Sequence, residues 1–387
     1  ACMAESLSAL GVEVGTGTKW PLRRLVQEAL TLTIEGGCYG PIELQPSEYG
    51  NLESRFVFSF RNPRERARQI LGHDALKAAS PLPDWMFLYN GGESAALKWI
   101  RERLPRAKRV LVTDFPKCFP LLPWQAVEDG LPLTREATRS LLFRPWKAAE
   151  VVGLGPVKPV PSFGAVFFGY AGHPTDAIGI PDCAGEIGHG RGIPPGAVLS
   201  SLVAQIVLHK MLMEALGDIV GVELGLFADN LIILLSDEKL VGPVRDRLHT
   251  LAAKHFDVSV AAAFRQCTLL VNRRDGFRHL GRFIDKRGKR VRTDALPEHC
   301  DRLSFRILND LDGAQGPERL ERAYARARGF AARHGYGNVA TAGLADGLLT
   351  LFHSATKIPG GLEWIEAQID REKWGRQDRI NAIRRGR

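Results

Sequence analysis

The sequence predicts an α+β fold. The order of its apolar segments is strand, helix, helix, hairpin, helix, hairpin, which is not the regular alternation of a parallel α/β sheet. The run Arg109-Val-Leu-Val-Thr-Asp114 is short, β-branched and apolar, so it reads as a buried strand that ends on a carboxylate. The run from Val222 to Leu235 reads as two strands around a tight turn at Ala228-Asp229-Asn230. At 387 residues the chain is long for one domain and suits two or three lobes, with 45% hydrophobic and 25% charged residues as in ordinary globular proteins.

Taken in order, a helical pattern runs from Pro21 to Leu32, and Gly36-Gly37 marks a turn. Arg55 to Phe60 alternates as a strand does and leads into the basic stretch of Arg61, Arg64, Arg66 and Arg68. Ala95, Ala96, Trp99 and Leu104 fall on one face of a helix expected over Glu93–Leu104, and Pro105 stops it. After the Asp114 strand, Leu131 to Phe143 reads as a helix with Thr134 as N-cap. Residues 151–195 are rich in Gly and Pro and read as irregular. Gly196 to Leu216 is strongly apolar and helix-like, and its apolar run is interrupted by Ser200, Ser201 and Gln205. Pro243 to Phe256 is amphipathic. Phe277–Ile284 and Lys286–Arg292 suggest a hairpin with Arg287-Gly288 in the turn, and the remainder reads as helical and Arg-rich with a basic tail.

The formal net charge is +9. Such an excess points to an anionic partner, of which nucleic acid is the commonest, although a basic surface without such a partner carries the same number. Six cysteines (Cys2, Cys38, Cys118, Cys183, Cys267 and Cys300) are scattered without a C-x-x-C pair. That argues against a zinc ribbon or a disulfide framework and for free thiols in a reducing compartment. There is no secretory pattern at the start and no stretch near the ~20 apolar residues of a spanning helix. The expectation is a cytoplasmic protein with no membrane partner.

A carboxylate at a strand end and another at a hairpin tip can meet on one sheet. That is what two-metal phosphoryl transfer needs, because hard cations such as Mg²⁺ take oxygen ligands. Asp114 and Asp229 are the candidate pair, and each follows an apolar run that would fix its backbone. Asp182, Glu186 and His189 form a weaker candidate cluster that fits a solvated loop better.

Four segments carry a resemblance to a known family. Thr113-Asp114-Phe-Pro-Lys-Cys-Phe119 resembles the reverse-transcriptase motif of an aspartate followed five residues later by an aromatic. Arg191-Gly-Ile-Pro-Pro-Gly196-Ala-Val-Leu-Ser-Ser201 resembles the Arg-Gly-x-Pro-Gln-Gly-x-x-x-Ser segment that begins the long palm helix. Phe227-Ala-Asp229-Asn230 resembles the aromatic-x-Asp-Asp hairpin, and His279-Leu280-Gly281 the Leu-Gly hairpin of the primer grip. They occur in the family's order and span roughly 109–284.

The resemblance implies a right-hand polymerase: an N-terminal region and fingers over 1–105, a palm over 106–284, and a thumb with a basic tail over 285–387. It implies RNA-directed DNA synthesis with Mg²⁺ or Mn²⁺ on Asp114, Asp229 and the Phe115 backbone, with dNTP, an RNA template or noncoding RNA, and a DNA product as partners. Phe119 would be the steric gate that excludes a ribose 2′-hydroxyl. Pro195 and Gly196 would border the nucleotide, and Arg61 and Arg68 would clasp the triphosphate from either side of a turn at Asn62-Pro63. Arg265 or Lys254 would stand for the family's later cation. Leu280 and Gly281 would grip the primer, and Arg322, Arg326 and Arg333, near one helical face, would track a nucleic-acid backbone.

Two positions depart from the pattern. Asn230 replaces the second hairpin carboxylate, which leaves at most a weak ligand there. Pro195 replaces the glutamine and puts the template rule in doubt. Two other readings therefore stand beside a reverse transcriptase: a non-templated or protein-primed nucleotidyltransferase on the same palm, and a degenerate RNA-binding protein. The compact chain resembles retron, group II-intron-like or antiphage-defence members of the family.

Overall fold

The computed structural model describes residues 5, 22–34, 42–47, 55–60, 62–115, 118–143, 149–151, 190–256, 258–271, 276–287, 290–311, 318–334 and 338–367. The mixed helical and strand architecture is α+β, with mainly antiparallel pairing. The chain divides into two compact units, Ala1–Asn272 and Arg273–Arg387.

The first unit opens with helix α1 (Leu22–Leu30), strands β1 (Ile42–Ser47) and β2 (Arg55–Phe60), and helices α2 (Pro63–Ala79) and α3 (Gly92–Arg103). Asn62 is the N-cap of α2: its side chain accepts from the Arg64 amide, and Pro63 takes a first-turn position whose missing N–H costs nothing. The turn expected between Arg61 and Arg68 is therefore a helix start. Strand β3 (Arg109–Asp114) leads to α4 (Cys118–Leu121), α5 (Trp124–Gly130) and α6 (Arg135–Thr138). Thr134 caps α6 as expected, accepting from the Ala137 amide. The single helix expected over Leu131–Phe143 is instead this short turn followed by a π-helical segment, Arg139–Phe143, whose Leu141, Leu142 and Phe143 are buried. Strand β4 (Ala149–Val151) pairs in parallel with β1.

Helix α7 (Ser200–Leu216) starts four residues later than Gly196, at the two serines. It is apolar on nearly every side because other elements surround it. Strands β5 (Val222–Phe227) and β6 (Asn230–Leu235) form the expected hairpin; α8 (Val241–His255), α9 (Val258–Cys267) and β7 (Leu269–Val271) follow. The principal sheet has the order β5-β6-β3-β7, all antiparallel. The run Leu-Ile-Ile-Leu-Leu of β6 is buried throughout, as a central strand covered on both faces requires. Leu111, Phe115, Leu231, Ile233 and Leu235 of the sheet share a core with Leu202, Val203, Ile206 and Val207 of α7. That core fixes the sheet end at which Asp114 and Asp229 stand.

The second unit carries a three-stranded antiparallel sheet of β8 (Phe277–His279), β9 (Arg282–Arg287) and β10 (Arg290–Ala295), then helices α10 (Pro297–Leu311), α11 (Glu318–His334) and α12 (Asn338–Ala355). The expected second hairpin is β9–β10, but Arg287, expected in its turn, closes β9 opposite Arg290, and the strand expected over Phe277–Ile284 turns at Leu280-Gly281. Leu303, Ile307, Leu320, Ala323, Ala327, Leu351 and Trp364 form its core. Asp294 accepts from the amides of Val339 and Ala340, so a carboxylate at the end of β10 satisfies the orphan donors of α12. No helix among the described residues is long and apolar enough to cross a membrane.

Candidate active site

Asp114 is the last residue of β3, and the β3/β6 register sets it opposite Asn230, the first residue of β6. One step on, the Phe115 amide donates to the Asp229 carbonyl at 2.9 Å. The two aspartates thus occupy adjoining positions at one end of the central strand pair. Asp114 is exposed, while Asp229 and Asn230 are half-buried. Phe227 pairs with Asn230, so Ala228 and Asp229 form a two-residue turn. Ala228 holds φ at +55°, a conformation that costs an L-residue about 1 kcal/mol. Gln205 of α7 donates from Nε2 to the Ala228 carbonyl at 2.7 Å. The Asn230 side chain donates from Nδ2 to Asp229 Oδ1 at 3.0 Å, so its amide nitrogen serves the neighbouring carboxylate.

Behind Asp114, Thr113 accepts at 3.0 Å from Thr268, and Cys267 donates to the Asp114 carbonyl at 3.3 Å. The Phe115 ring is buried against Phe264, with centroids 5.0 Å apart, which leaves only its backbone at the site. Two thiols flank the carboxylates. Burial pushes the Cys118 thiol well up, with the Asp229 charge adding to it. Burial also raises Cys267, where Asp114 adds in the same sense. Both therefore remain protonated at neutral pH and do not compete as soft thiolate ligands.

Residues 190–196 lie along 119–124. Ile193 donates to the Phe119 carbonyl and Gly192 to that of Leu122, each at 2.9 Å, and the Trp124 indole donates to the Gly192 carbonyl at 2.7 Å. Phe119 is half-buried and packs against the principal core. Pro195 accepts from the Phe58 amide of β2 at 2.7 Å. Gly196 is exposed with φ at +92°, so a side chain there would be strained. Tyr89 and Ser201 share a hydrogen bond of 2.7 Å at the first turn of α7.

Among the described residues no group of three or more His, Cys, Asp or Glu side chains is placed to hold a metal ion. The candidate donors are the two carboxylates of Asp114 and Asp229. Both offer hard oxygens, which fit Mg²⁺ where substrate phosphates and water complete the octahedron.

Several expected residues lie elsewhere. Arg68 is fully buried in α2 and cannot clasp a triphosphate: it pairs with Glu65 at 2.8 Å and donates to the Ile34 and Ser140 carbonyls at 3.1 Å each. A buried guanidinium needs such partners, and these engage both of its terminal nitrogens. Arg61, Asp182, Glu186 and His189 fall outside the described residues. Lys254 forms an ion pair with Glu214. Arg265 is exposed and lines a cavity of about 220 Å³ with Arg245, His249 and Thr268, between α8 and α9.

In the second unit, Leu280 and Gly281 form the two-residue turn between His279 and Arg282. Their φ values of +52° and +67° meet the demand of a type I′ turn for positive φ at both positions. On α11, Arg326, expected to track a nucleic-acid backbone, is paired with Asp310. Arg322 and Arg333 are exposed. The buried Arg282 donates to the Arg333 carbonyl and so caps the end of α11.

Gln205 is the site residue that motif reading missed. Its signal was present, as one amide inside the apolar run of α7.

Fold and site together describe an α+β chain with two aspartates at one end of an antiparallel sheet. No family profile matches the chain, and no curated protein does. Two solved structures are similar over much of it. One is a telomerase from Candida albicans in complex with a fragment of telomeric RNA, at 10% identity and TM-score 0.35, covering 76% of this chain and 52% of that one. The other is an apo telomerase from Candida tropicalis, at 10% identity and TM-score 0.39, covering 88% and 64%. The chain thus spans about half to under two thirds of the length of these structures, and at such TM-scores the likeness does not by itself define a common fold.

Proposed function

We propose that the chain is a nucleotidyltransferase of the reverse-transcriptase type, which extends a nucleic-acid 3′-hydroxyl with dNTPs on an RNA template. The observation that carries this is the register of β3 and β6. It sets Asp114 opposite Asn230 and bonds the following residue, Phe115, to Asp229, within a set of four ordered motifs. In the reaction the 3′-oxygen attacks the α-phosphorus, a new P–O bond forms, the bond to pyrophosphate breaks, and the hydroxyl proton leaves to solvent. A divalent cation, when bound, lowers the pKa of that hydroxyl and neutralises the leaving group. Asp114 and Asp229 would hold Mg²⁺ or Mn²⁺. Asn230 orients the Asp229 carboxylate through its amide N–H. Phe119, whose backbone is tied to Ile193, would border the sugar, and Gly196 would let the chain approach the nucleotide closely.

The test is incorporation of labelled dNTP on a primed RNA with Mg²⁺ or Mn²⁺. Asp114→Ala and Asp229→Ala should each lower it by about 10³-fold or more, since each removes a ligand of the reacting centre. Activity that survives both substitutions would sink the assignment. Product whose sequence and length ignore the template would instead favour a non-templated transferase.

A further inference from the structure

The geometry points to Gln205 as a positioning residue that aims the Asp229 carboxylate by holding the Ala228–Asp229 peptide. The inference rests on the reading of Asp114 and Asp229 as a divalent-cation centre. Gln205 is 1% exposed in the middle of an apolar helix, where a leucine or methionine would serve packing as well. A primary amide is costly to bury unless it bonds. Its Nε2 does bond, at 2.7 Å, to the carbonyl of Ala228, while its buried Oε1 has no hydrogen-bond partner among the described residues.

That carbonyl belongs to the peptide plane preceding Asp229. The plane following Asp229 is held by its own carbonyl, which accepts from the Phe115 amide at 2.9 Å. Both planes that flank the Asp229 Cα are therefore fixed, one by α7 and one by the residue after Asp114. With both fixed, the Cα–Cβ direction of Asp229 is set relative to Asp114, and only side-chain rotation remains. Asn230 restrains that rotation from Nδ2. The restraint has something to oppose: Ala228 holds a positive φ without the freedom of glycine. Without the Gln205 bond the peptide can relax, and Asp229 turns with it.

The experiment measures Mn²⁺ binding to the full chain by electron paramagnetic resonance, without nucleotide, beside the Mg²⁺ dependence of dNTP incorporation. Gln205→Met keeps the volume and removes the donor. Gln205→Leu also removes the donor with a different apolar shape, so it serves if the methionine variant does not fold. Val203→Ala, on the same buried helix, controls for loss of packing alone. The expected result is an Mn²⁺ affinity lower by about 10- to 100-fold in the Gln205 variants, as for outer-shell partners of metal ligands. The half-saturating Mg²⁺ should rise in parallel while the dNTP KM stays near the wild-type value, and Val203→Ala should bind Mn²⁺ as wild type does. Wild-type Mn²⁺ affinity in the Gln205 variants, or an equal loss in Val203→Ala, overturns the role of Gln205. An Asp229→Ala arm separates the two levels. Binding lost there but kept in Gln205→Met leaves the carboxylate centre standing and removes Gln205 from it. Binding indifferent to Asp229→Ala removes both.

Discussion

Arg68 and His279 show how burial reassigns a residue that looks functional. Arg68 sits among Glu65, Ser140 and the Ile34 carbonyl with no exposed side-chain surface. Removing one member of a buried ion pair leaves the other charged and desolvated, so Arg68→Ala should cost about 3–5 kcal/mol of stability. Urea unfolding measures this; a raised dNTP KM at unchanged stability would return Arg68 to the substrate. His279 precedes the Leu280-Gly281 turn and is held neutral by burial, with its pKa lowered to about 4. In the unfolded chain the imidazole takes up its proton near pH 6.5, while the folded one refuses it until about pH 4. Stability contributed by neutral His279 is thus full above pH 6.5 and lost as pH falls toward 4, by about 3 kcal/mol in all. Burial lowers His299 in the same sense, aided by Arg302 and Arg333. Urea midpoints at pH 7.5 and 4.5 should differ less in His279→Leu than in the wild type.

Elements decide which cations can meet a partner. On α11, Arg326 is engaged by Asp310, whose hydrogen bond holds the guanidinium pKa up, whereas Arg322 stands exposed a turn away. Arg322→Ala should therefore reduce the salt slope of nucleic-acid binding by about 1, the effect of losing one phosphate contact, and Arg326→Ala should leave the slope near its original value. Fluorescence anisotropy across a salt series distinguishes them, and equal slopes for all three proteins would count against the assignment. The β8–β9 turn carries its own demand. At φ +67° Gly281 suits the turn, and an added Cβ would meet the His299 ring at 2.5 Å. Gly281→Ala should destabilise the second unit by about 1–3 kcal/mol, from conformational strain and overpacking together. A thermal melt at wild-type temperature would refute this.

At the scale of the whole molecule, a net charge of +9 predicts binding to nucleic acid that weakens steeply with salt, independent of sequence, because released counterions supply much of the affinity. Raising salt from ~50 to ~200 mM should weaken binding by an order of magnitude or more, which a nitrocellulose-filter titration would reveal. A flat response would mean that the charge is only solvated surface. This prediction concerns affinity; the metal-dependent chemistry stands or falls separately with Asp114 and Asp229.

The sequence by itself determined the elements whose signal is local. Strand β3 begins and ends where its β-branched run does. The β5–β6 hairpin follows from two apolar runs around a short polar turn, and Thr134 caps its helix as a hydroxyl before a helical start should. These signals belong to neighbours in the chain, whereas the meeting of the strand-end Asp114 with the hairpin-tip Asp229 rests on the pairing of β3 with β6. Tertiary structure alone decided the rest. The basic stretch from Arg61 to Arg68, seven positions apart, reads as a turn with two cations, yet Asn62 caps a helix that buries Arg68 against Ser140, 72 residues away. The lone amide of Gln205 looked like an interruption of an apolar run, until the fold brought the Ala228 carbonyl, 23 residues on, within 2.7 Å of it. A hydrogen bond between distant residues leaves no periodicity in the sequence. The cost of burying an unpaired polar group still requires that such a partner exist.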